Sequence, residues 1–232
     1  MKIAIVDDQE MWRVCVEELL KKYYGQNVPK IDHFDCGEDF YNQEKYDVVF
    51  LDIEMGQMDG FETAKYYKQN NSDAIIIFLT THDELSRQGY LVDAFRYIIK
   101  SNIEVELEEA LNSIEDMHRR NQVIQFHVIN MGTMCIKVKD ILFIETEKRN
   151  VVIHTREHDY ISNIKMEDLE EELRELGFFR CHKSYLINLD HVHKFDKFNV
   201  YFIDNKRALV STRKYAELKD RYFEQKFKIA NS

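Results

Sequence analysis

The chain has very little of several features that mark whole classes of protein. Its 232 residues include one proline and seven glycines, which excludes collagen-like, proline-rich and flexible low-complexity segments. Its longest apolar runs, such as 75–80, are about six residues, whereas a membrane-spanning helix needs about 20. The N-terminus shows no basic segment followed by an apolar one, so no secretory signal is visible. We therefore expect a cytoplasmic protein with no membrane partner.

The spacing of the cysteines and the overall composition further limit the kinds of protein that this chain can be. Four cysteines (Cys15, Cys36, Cys135 and Cys181) are widely spaced and form no Cys-x-x-Cys pair, which fits a reducing compartment better than a disulfide framework. Hydrophobic residues make up 44% of the chain and charged residues 32%, enough for a packed core and unlike a disordered chain. This length leaves one large domain or two small ones open.

Charge is distributed unevenly along the chain. Residues 1–120 carry 13 Lys and Arg against 25 Asp and Glu, a net charge of −12. Residues 121–232 carry 19 against 17, a net charge of +2, and the segment 180–228 alone reaches +6. The more basic second half is compatible with a polyanionic partner such as nucleic acid, although charged runs are more often simply solvated surface.

The first half alternates short apolar runs with helical periodicity. Such near-continuous runs are expected of strands that are buried on both faces. Strands that alternate with helices predict βαβ units, and hence a doubly wound α/β domain with a five-stranded parallel sheet. The runs are residues 2–7, 47–51, 75–79 and 96–99, with a weaker one at 31–34.

The pattern changes after residue 118, where short runs separated by polar turns predict antiparallel β structure. One short acidic helix interrupts these runs near 166–175, and its acidic residues are interpreted as a solvated face. A final helix is predicted from about 213 to 227. The predicted organisation is a first domain at 1–118, a short junction at 119–124, and a β-rich domain at 125–232 with the short acidic helix and the C-terminal helix.

Chemically related side chains follow the ends of several predicted strands of the first domain. The carboxyl ends of strands are where a doubly wound sheet binds its ligands. Carboxylates gathered there repel one another unless a hard cation such as Mg²⁺ balances them. A lysine ammonium and a threonine hydroxyl opposite would hold phosphoryl oxygens, and one carboxylate could accept the phosphoryl group. The residues are Asp7 and Asp8 after the first strand, Asp52 after the third, Thr80 after the fourth and Lys100 after the fifth.

Any one acidic residue at a strand end more often only caps a loop, but this ordered set does not fit that explanation. Its sequence blocks resemble a response-regulator receiver domain over residues 1–118. The resemblance implies a flavodoxin-like fold for the first domain. The matching blocks are IVDD (5–8), LDIEM (51–55) followed by MDG (58–60), LT (79–80) and YIIK (97–100).

The resemblance implies a role for each residue of the pocket. Asp52 would accept the phosphoryl group. Asp8 and Asp52 would bind Mg²⁺ directly, Asp7 through a water molecule, and Glu54 through its backbone carbonyl. These assignments come from the family and not from the spacing of the residues.

The resemblance also implies a switch and partners. Lys100 and Thr80 would contact the phosphoryl group, and Tyr97 stands where the family has its switch aromatic. A sensor histidine kinase would be the phosphoryl donor. Phosphorylation would remodel the face around a helix at about 84–93, which would then form a homodimer.

Basic residues cluster at three turns or helix starts of the second domain. Side chains at such positions can project into a groove of DNA, where arginine suits guanine edges and lysine suits phosphates. A scatter of surface basic residues explains the spacing equally well. The residues are Lys148 and Arg149 in one turn, Arg180, His182 and Lys183 before an apolar strand, and Arg213 and Lys214 at the start of the last helix.

The blocks around these residues resemble a LytTR DNA-binding domain over about 125–228. This β-rich module is not a helix-turn-helix. The matching blocks are KDILFIE (139–145), FFRCHKSYLIN (178–188) and VSTRKY (210–215). The resemblance implies DNA contacts from Arg149 or Asn150, whose register the loop length leaves open, from Lys183 and from Arg213. Arg180, His182 and Lys214 would be their neighbours, although a histidine at the position of His182 is more often structural.

Together the two halves predict a phosphorylation-dependent transcriptional regulator that dimerises and binds promoter DNA. It would not be a turnover enzyme, although slow loss of its own phosphoryl group is expected. One alternative is an α/β phosphatase or phosphotransferase, against which stand Glu54 two residues after Asp52 and the lack of a substrate cap. The other is an adaptor whose second domain binds a protein instead of DNA.

Overall fold

The computed structural model describes residues 1–56, 58–81, 94–203 and 206–230, the last four of these by their backbone alone. The chain divides into two compact units, residues 1–111 and 112–232. No helix in the described ranges is long and apolar enough to cross a membrane. The helix predicted at about 84–93 lies outside the described residues.

The first unit contains a five-stranded parallel sheet in the order β2-β1-β3-β4-β5. It confirms the predicted α/β class. Every residue of β3 and β4 is buried, because a central parallel strand is covered on both faces, whereas the edge strand β2 is partly exposed. The strands are β1 (Lys2–Val6), β2 (Lys30–Phe34), β3 (Val48–Asp52), β4 (Ile75–Thr80) and β5 (Arg96–Ile99).

Helices connect these strands in the described part of the first unit. The Asp59 carboxylate accepts a hydrogen bond from the Glu62 backbone N–H at 2.8 Å, which caps the helix that follows it. The last helix extends past residue 111, and one residue separates it from the next strand. The helices are α1 (Glu10–Tyr24), α2 (Gly37–Phe40), α3 (Gly60–Asn70) and α4 (Ile103–Asn121).

The second unit is built on an antiparallel seven-stranded sheet in the order β11-β12-β8-β9-β10-β6-β7. Strand β12 is the apolar strand predicted after Lys183, whereas β11 is not among the predicted strands. The strands are β6 (Val123–Val128), β7 (Gly132–Lys137), β8 (Ile141–Glu147), β9 (Asn150–Thr155), β10 (Asp159–Ser162), β11 (Phe178–His182) and β12 (Tyr185–Asn188).

A smaller sheet and two helices complete the second unit. Strands β13 (Val192–Phe195), β14 (Asn199–Phe202) and β15 (Arg207–Leu209) form a three-stranded sheet, and the helices are α5 (Met166–Leu173) and α6 (Tyr215–Ala230). Neighbouring residues of the large sheet enter different cores, since side chains alternate between faces. Phe178 packs with the apolar face of α5, whereas Phe179 packs with the small sheet and α6.

Candidate functional site

Three carboxylates meet at the carboxyl edge of the parallel sheet. Asp7 directly follows β1, and Asp52 is the last residue of the adjacent strand β3. With Asp8, they present oxygens that all lie within 4.8 Å of one another. Asp7 and Asp52 are buried, whereas Asp8 is exposed. The structure therefore brings together the three predicted metal-binding carboxylates.

Lys100 supplies the cation of this cluster. Its Nζ lies 2.7 Å from Asp7 Oδ2 and 3.0 Å from Asp52 Oδ1, and its side chain is buried. One ammonium does not balance three carboxylates. Burial, followed by the charge of Asp7, raises the pKa of Asp52 to about 6, although Lys100 opposes this. An oxygen-rich donor set of two buried carboxylates and one exposed carboxylate, incompletely balanced in charge, fits a hard divalent cation such as Mg²⁺.

The remaining predicted residues of the pocket come from neighbouring strands and loops. Thr80, the last residue of β4, is buried. Tyr97 on β5 stacks on Phe78 with ring centroids 5.2 Å apart, and burial raises the pKa of its hydroxyl. The exposed Glu54 carboxylate accepts a hydrogen bond from Thr81 Oγ1 at 2.7 Å, so its side chain is directed toward the loop after β4. The roles assigned to these residues by resemblance stay predictions.

The close approach of Gly60 to the backbone of β3 explains why the MDG block beside the pocket ends in glycine. Its backbone N–H donates to the Ile53 carbonyl at 3.0 Å, which fixes the first turn of α3 against the end of β3. A Cβ at residue 60 would lie 2.2 Å from the Asp52 carbonyl oxygen and 2.9 Å from Ile53 Cα. Only glycine permits this approach of the helix to the backbone of Asp52.

The three basic segments of the second unit lie side by side. The Thr146 N–H donates to the Ser184 carbonyl at 2.9 Å, which joins the end of β8 to the β11–β12 turn. The Ser211 N–H donates to the Cys181 carbonyl, also at 2.9 Å, which joins the segment before α6 to β11. Residues far apart in sequence are thus placed next to one another.

Four basic residues of these segments are exposed. Arg149, Lys183 and Arg213 are predicted DNA contacts, and Lys148 stands next to Arg149. Lys148 and Arg149 form the β8–β9 turn, Lys183 stands in the β11–β12 turn, and Arg213 precedes α6. None of the four forms an ion pair with another residue in the described ranges. Asn150, by contrast, is the half-buried first residue of β9 and pairs with Glu147.

Comparisons with known proteins agree for both units. Residues 3–112 match the model of the response regulator receiver domain, and residues 131–222 match that of the LytTr DNA-binding domain. Sensory transduction protein LytT of Oceanobacillus iheyensis is 30% identical over 201 residues, which cover 81% of this chain and 80% of that protein. This chain belongs to the LytTR-type response regulators.

Two further relatives extend over nearly the whole response regulator. Sensory transduction protein LytT of Bacillus cereus is 26% identical and is matched over 94% of this chain and 98% of its own length. Transcriptional regulatory protein YpdB of Escherichia coli strain K12 is 24% identical over 88% of this chain and 90% of its own length. Both units therefore occur together, in the same order, in relatives of similar length.

Two side chains of α1 border the response regulator's pocket and were missed by sequence reasoning. The ring centroid of Trp12, the only tryptophan, lies 5.3 Å from Lys100 Nζ, a cation–π distance. Arg13 donates a hydrogen bond from Nη1 to the Asp7 backbone carbonyl. The one sequence feature that could have indicated Trp12 and Arg13 is their position in the first turn of the helix after Asp7 and Asp8. Helical spacing alone did not show that these side chains turn back to the strand end.

His182 and Lys214 are used within the protein. His182 Nδ1 accepts a hydrogen bond from the Ser184 N–H at 3.2 Å. Burial, with the charges of Lys183 and Arg180, lowers the pKa of its imidazole, which favours the neutral acceptor. Lys214 Nζ lies 2.7 Å from a Glu217 carboxylate oxygen. Their contacts with DNA stay predictions.

Cys181 is expected to resist a thiol reagent in the folded protein, whereas Cys135 reacts. The Cys181 side chain is buried, its Sγ lies 3.3 Å from the Leu209 carbonyl oxygen, and burial raises the pKa of its thiol to about 12. Cys135 is exposed on β7. Thiol labelling followed by peptide mass mapping, with and without denaturant, measures the difference. Equal labelling rates in the native protein would contradict the burial of Cys181.

Proposed function

We propose that this response regulator accepts a phosphoryl group on Asp52 from a sensor histidine kinase, then dimerises and binds promoter DNA through its second unit. The observation that carries the proposal is the buried cluster of Asp7, Asp52 and Lys100. It occurs in a chain that also presents three adjacent exposed basic segments. Promoter DNA as the target implies a cytoplasmic location.

The pocket residues suit a phosphoryl acceptor. An oxygen of the Asp52 carboxylate would attack phosphorus as the bond from phosphorus to the donor's histidine nitrogen breaks, leaving an aspartyl phosphate. Lys100 would hold a phosphoryl oxygen and balance charge, and the Thr80 hydroxyl would donate to another. Asp7, Asp8, Asp52 and the Glu54 backbone carbonyl would hold Mg²⁺, which supplies positive charge against the phosphoryl oxygens. The product is the modified protein itself, so the proposal is a switch and not a turnover enzyme.

The second unit suits a polyanion. Lys183 and Arg213 lie on segments joined through Ser211 and Cys181, with Lys148 and Arg149 on the other side of the β11–β12 turn. These exposed lysine and arginine side chains form no ion pair within the described part of the chain, so their charges are available to the phosphates and base edges of DNA. Arg149 or Asn150, Lys183 and Arg213 are the contacts that we propose.

Fluorescence anisotropy tests the proposal with a genomic DNA fragment from upstream of the protein's own gene and a random fragment. The protein is measured with and without Mg²⁺ and beryllofluoride, a phosphoryl mimic, at two salt concentrations. Tighter and salt-sensitive binding in the presence of the mimic supports both steps, because counterion release weakens DNA binding as salt rises. Binding to neither fragment in either state would contradict the DNA half and favour a protein partner.

Arg213→Ala is expected to weaken binding to the preferred fragment by about 1–3 kcal/mol, or roughly 5- to 150-fold, while binding to random DNA falls less. Arg221→Ala is the matched control, since Arg221 is also exposed but lies on α6 about two turns farther along. The anisotropy titrations above give both affinities. An unchanged preference for the target fragment would remove Arg213 from the interface.

A further inference from the structure

Every guanidinium nitrogen of Arg180 contacts a group of the same chain, although Arg180 lies in one of the three basic segments. Its Nη1 lies 3.0 Å from Glu170 Oε2 and its Nη2 lies 3.3 Å from Glu167 Oε1, both on α5. Its Nε donates to the His182 carbonyl at 3.2 Å, and Nη2 also donates to the Lys183 carbonyl. The side chain is 14% exposed. All three guanidinium nitrogens are therefore in use.

The two carbonyls that Arg180 binds belong to the β11–β12 turn. The strand register shifts between Arg180 and His182, so β11 bulges just before this turn. A bulge breaks the regular ladder and redirects side chains. Arg180 donates hydrogen bonds to two carbonyls at this turn. His182 Nδ1 adds a further contact by accepting from the Ser184 N–H.

The acidic helix α5 takes part in this arrangement. Its acidic residues are not only a solvated face, because Glu167 and Glu170 hold the guanidinium of Arg180. A planar guanidinium can bind two carboxylates and two carbonyls at once, which the single ammonium of lysine cannot reproduce. Glu167, Glu170 and Arg180 therefore act as one clamp that joins α5 to the turn.

We propose that Arg180 is a positioning residue for DNA recognition: the clamp fixes the β11–β12 turn so that Lys183 is presented to DNA. The inference rests on the proposed function and adds a residue that acts through Lys183 without touching DNA. The positive charge of Arg180 is neutralised within the protein. Its effect on binding therefore depends on guanidinium geometry and not on charge.

The experiment uses the full chain with Mg²⁺ and beryllofluoride, and a duplex that the wild-type protein has selected from a random pool. Arg180→Lys retains the charge and loses the geometry, so affinity for the selected duplex is expected to fall about tenfold, as for loss of one charge-assisted contact. Lys183→Ala is expected to have a similar effect. In the double variant, Arg180→Lys is expected to add little to Lys183→Ala, because both changes remove the same contact.

Two further variants separate positioning from charge and from general damage. Arg174→Lys is the matched control, since Arg174 is exposed just after α5, and it should bind as the wild type does. Glu170→Gln removes a negative charge, which by charge alone would tighten DNA binding, whereas loosening of the clamp weakens preference for the selected duplex. Amide hydrogen exchange at residues 182–185 should be faster in Arg180→Lys and Glu170→Gln than in the control.

The outcomes are distinguishable. Failure of the wild-type protein to select any duplex overturns the proposed function, and with it this inference. If a duplex is selected, wild-type affinity in Arg180→Lys overturns the positioning role alone. Loss in Arg180→Ala with retention in Arg180→Lys would make Arg180 a direct charge contact. Fully additive effects of Arg180→Lys and Lys183→Ala would show that the two residues act independently.

Discussion

Asp52→Asn is expected to abolish phosphoryl incorporation and leave the fold in place. An asparagine amide has no anionic oxygen to attack phosphorus. The substitution removes repulsion from Asp7 and also the ion pair with Lys100, two opposing effects, so the unfolding temperature should change by only a few degrees. Incorporation from acetyl phosphate with Mg²⁺, measured by intact-protein mass spectrometry, should be at least about 100-fold lower than in the wild type.

Asp35→Asn is the matched control for this experiment. Asp35 is an exposed aspartate just after β2, so it undergoes the same chemical change outside the pocket and should leave incorporation unchanged. Trp12 gives a second measurement, since its ring lies 5.3 Å from Lys100 Nζ and it is the only tryptophan. Its fluorescence should respond to Mg²⁺ and beryllofluoride in the wild type and not in Asp52→Asn. Wild-type incorporation in Asp52→Asn would mean that another residue is the acceptor.

The pocket was predictable because it depends on strand ends. Strands β3 and β4 are buried along their whole length, so their apolar runs reveal where each strand stops. Parallel strands place those stops at one edge of the sheet, which brings Asp7, Asp52 and Lys100 together. Trp12 and Arg13 could not be found in this way, because their contacts depend on how side chains of α1 turn back toward the strand ends.

Asp190→Ala is expected to destabilise the second unit by about 3–5 kcal/mol, as removal of one partner from a buried ion pair does. The Asp190 side chain is 9% exposed and lies 3.1 Å from both Arg119 Nη2 and Arg120 Nε. It also accepts a hydrogen bond from Gln225 Nε2 at 2.8 Å. Without the Asp190 carboxylate, the guanidinium groups of Arg119 and Arg120 lose the anion that they share, which lowers the free energy of unfolding. Urea denaturation at pH 7 measures the loss.

Asp190→Ala should lower the free energy of unfolding by a smaller amount in acid. Burial opposes ionisation of Asp190, but Arg119, Gln225 and Arg120 outweigh it and hold its pKa below the ordinary value. A lowered pKa gives stability that is present above pH about 4 and is lost as the pH falls through the folded-state value. The difference between wild type and Asp190→Ala should therefore shrink at pH 3. Asp220→Ala, at an exposed position of α6, should stay within about 0.5 kcal/mol of wild type at both pH values.

The second unit was only partly predictable from its sequence. The predicted antiparallel β class is confirmed, because short runs between polar turns mark such strands. Strand β11 was missed because its bulge near Cys181 breaks the regular alternation. The acidic partners of Arg180 and the basic partners of Asp190 lie on other elements, so these ion pairs depend on tertiary packing that no local spacing encodes.

The closeness of Gly60 to the main chain of Asp52 bears on the genetics of this response regulator. Most single-nucleotide changes in a glycine codon introduce a side chain, and every such side chain begins with a Cβ 2.2 Å from the Asp52 carbonyl oxygen. Main-chain atoms cannot rotate aside as a side chain can. Loss-of-function alleles should therefore arise at Gly60, a residue with no chemical group of its own. Suppressors of such alleles should lie in α3 or the loop before it and not in a phosphoryl donor.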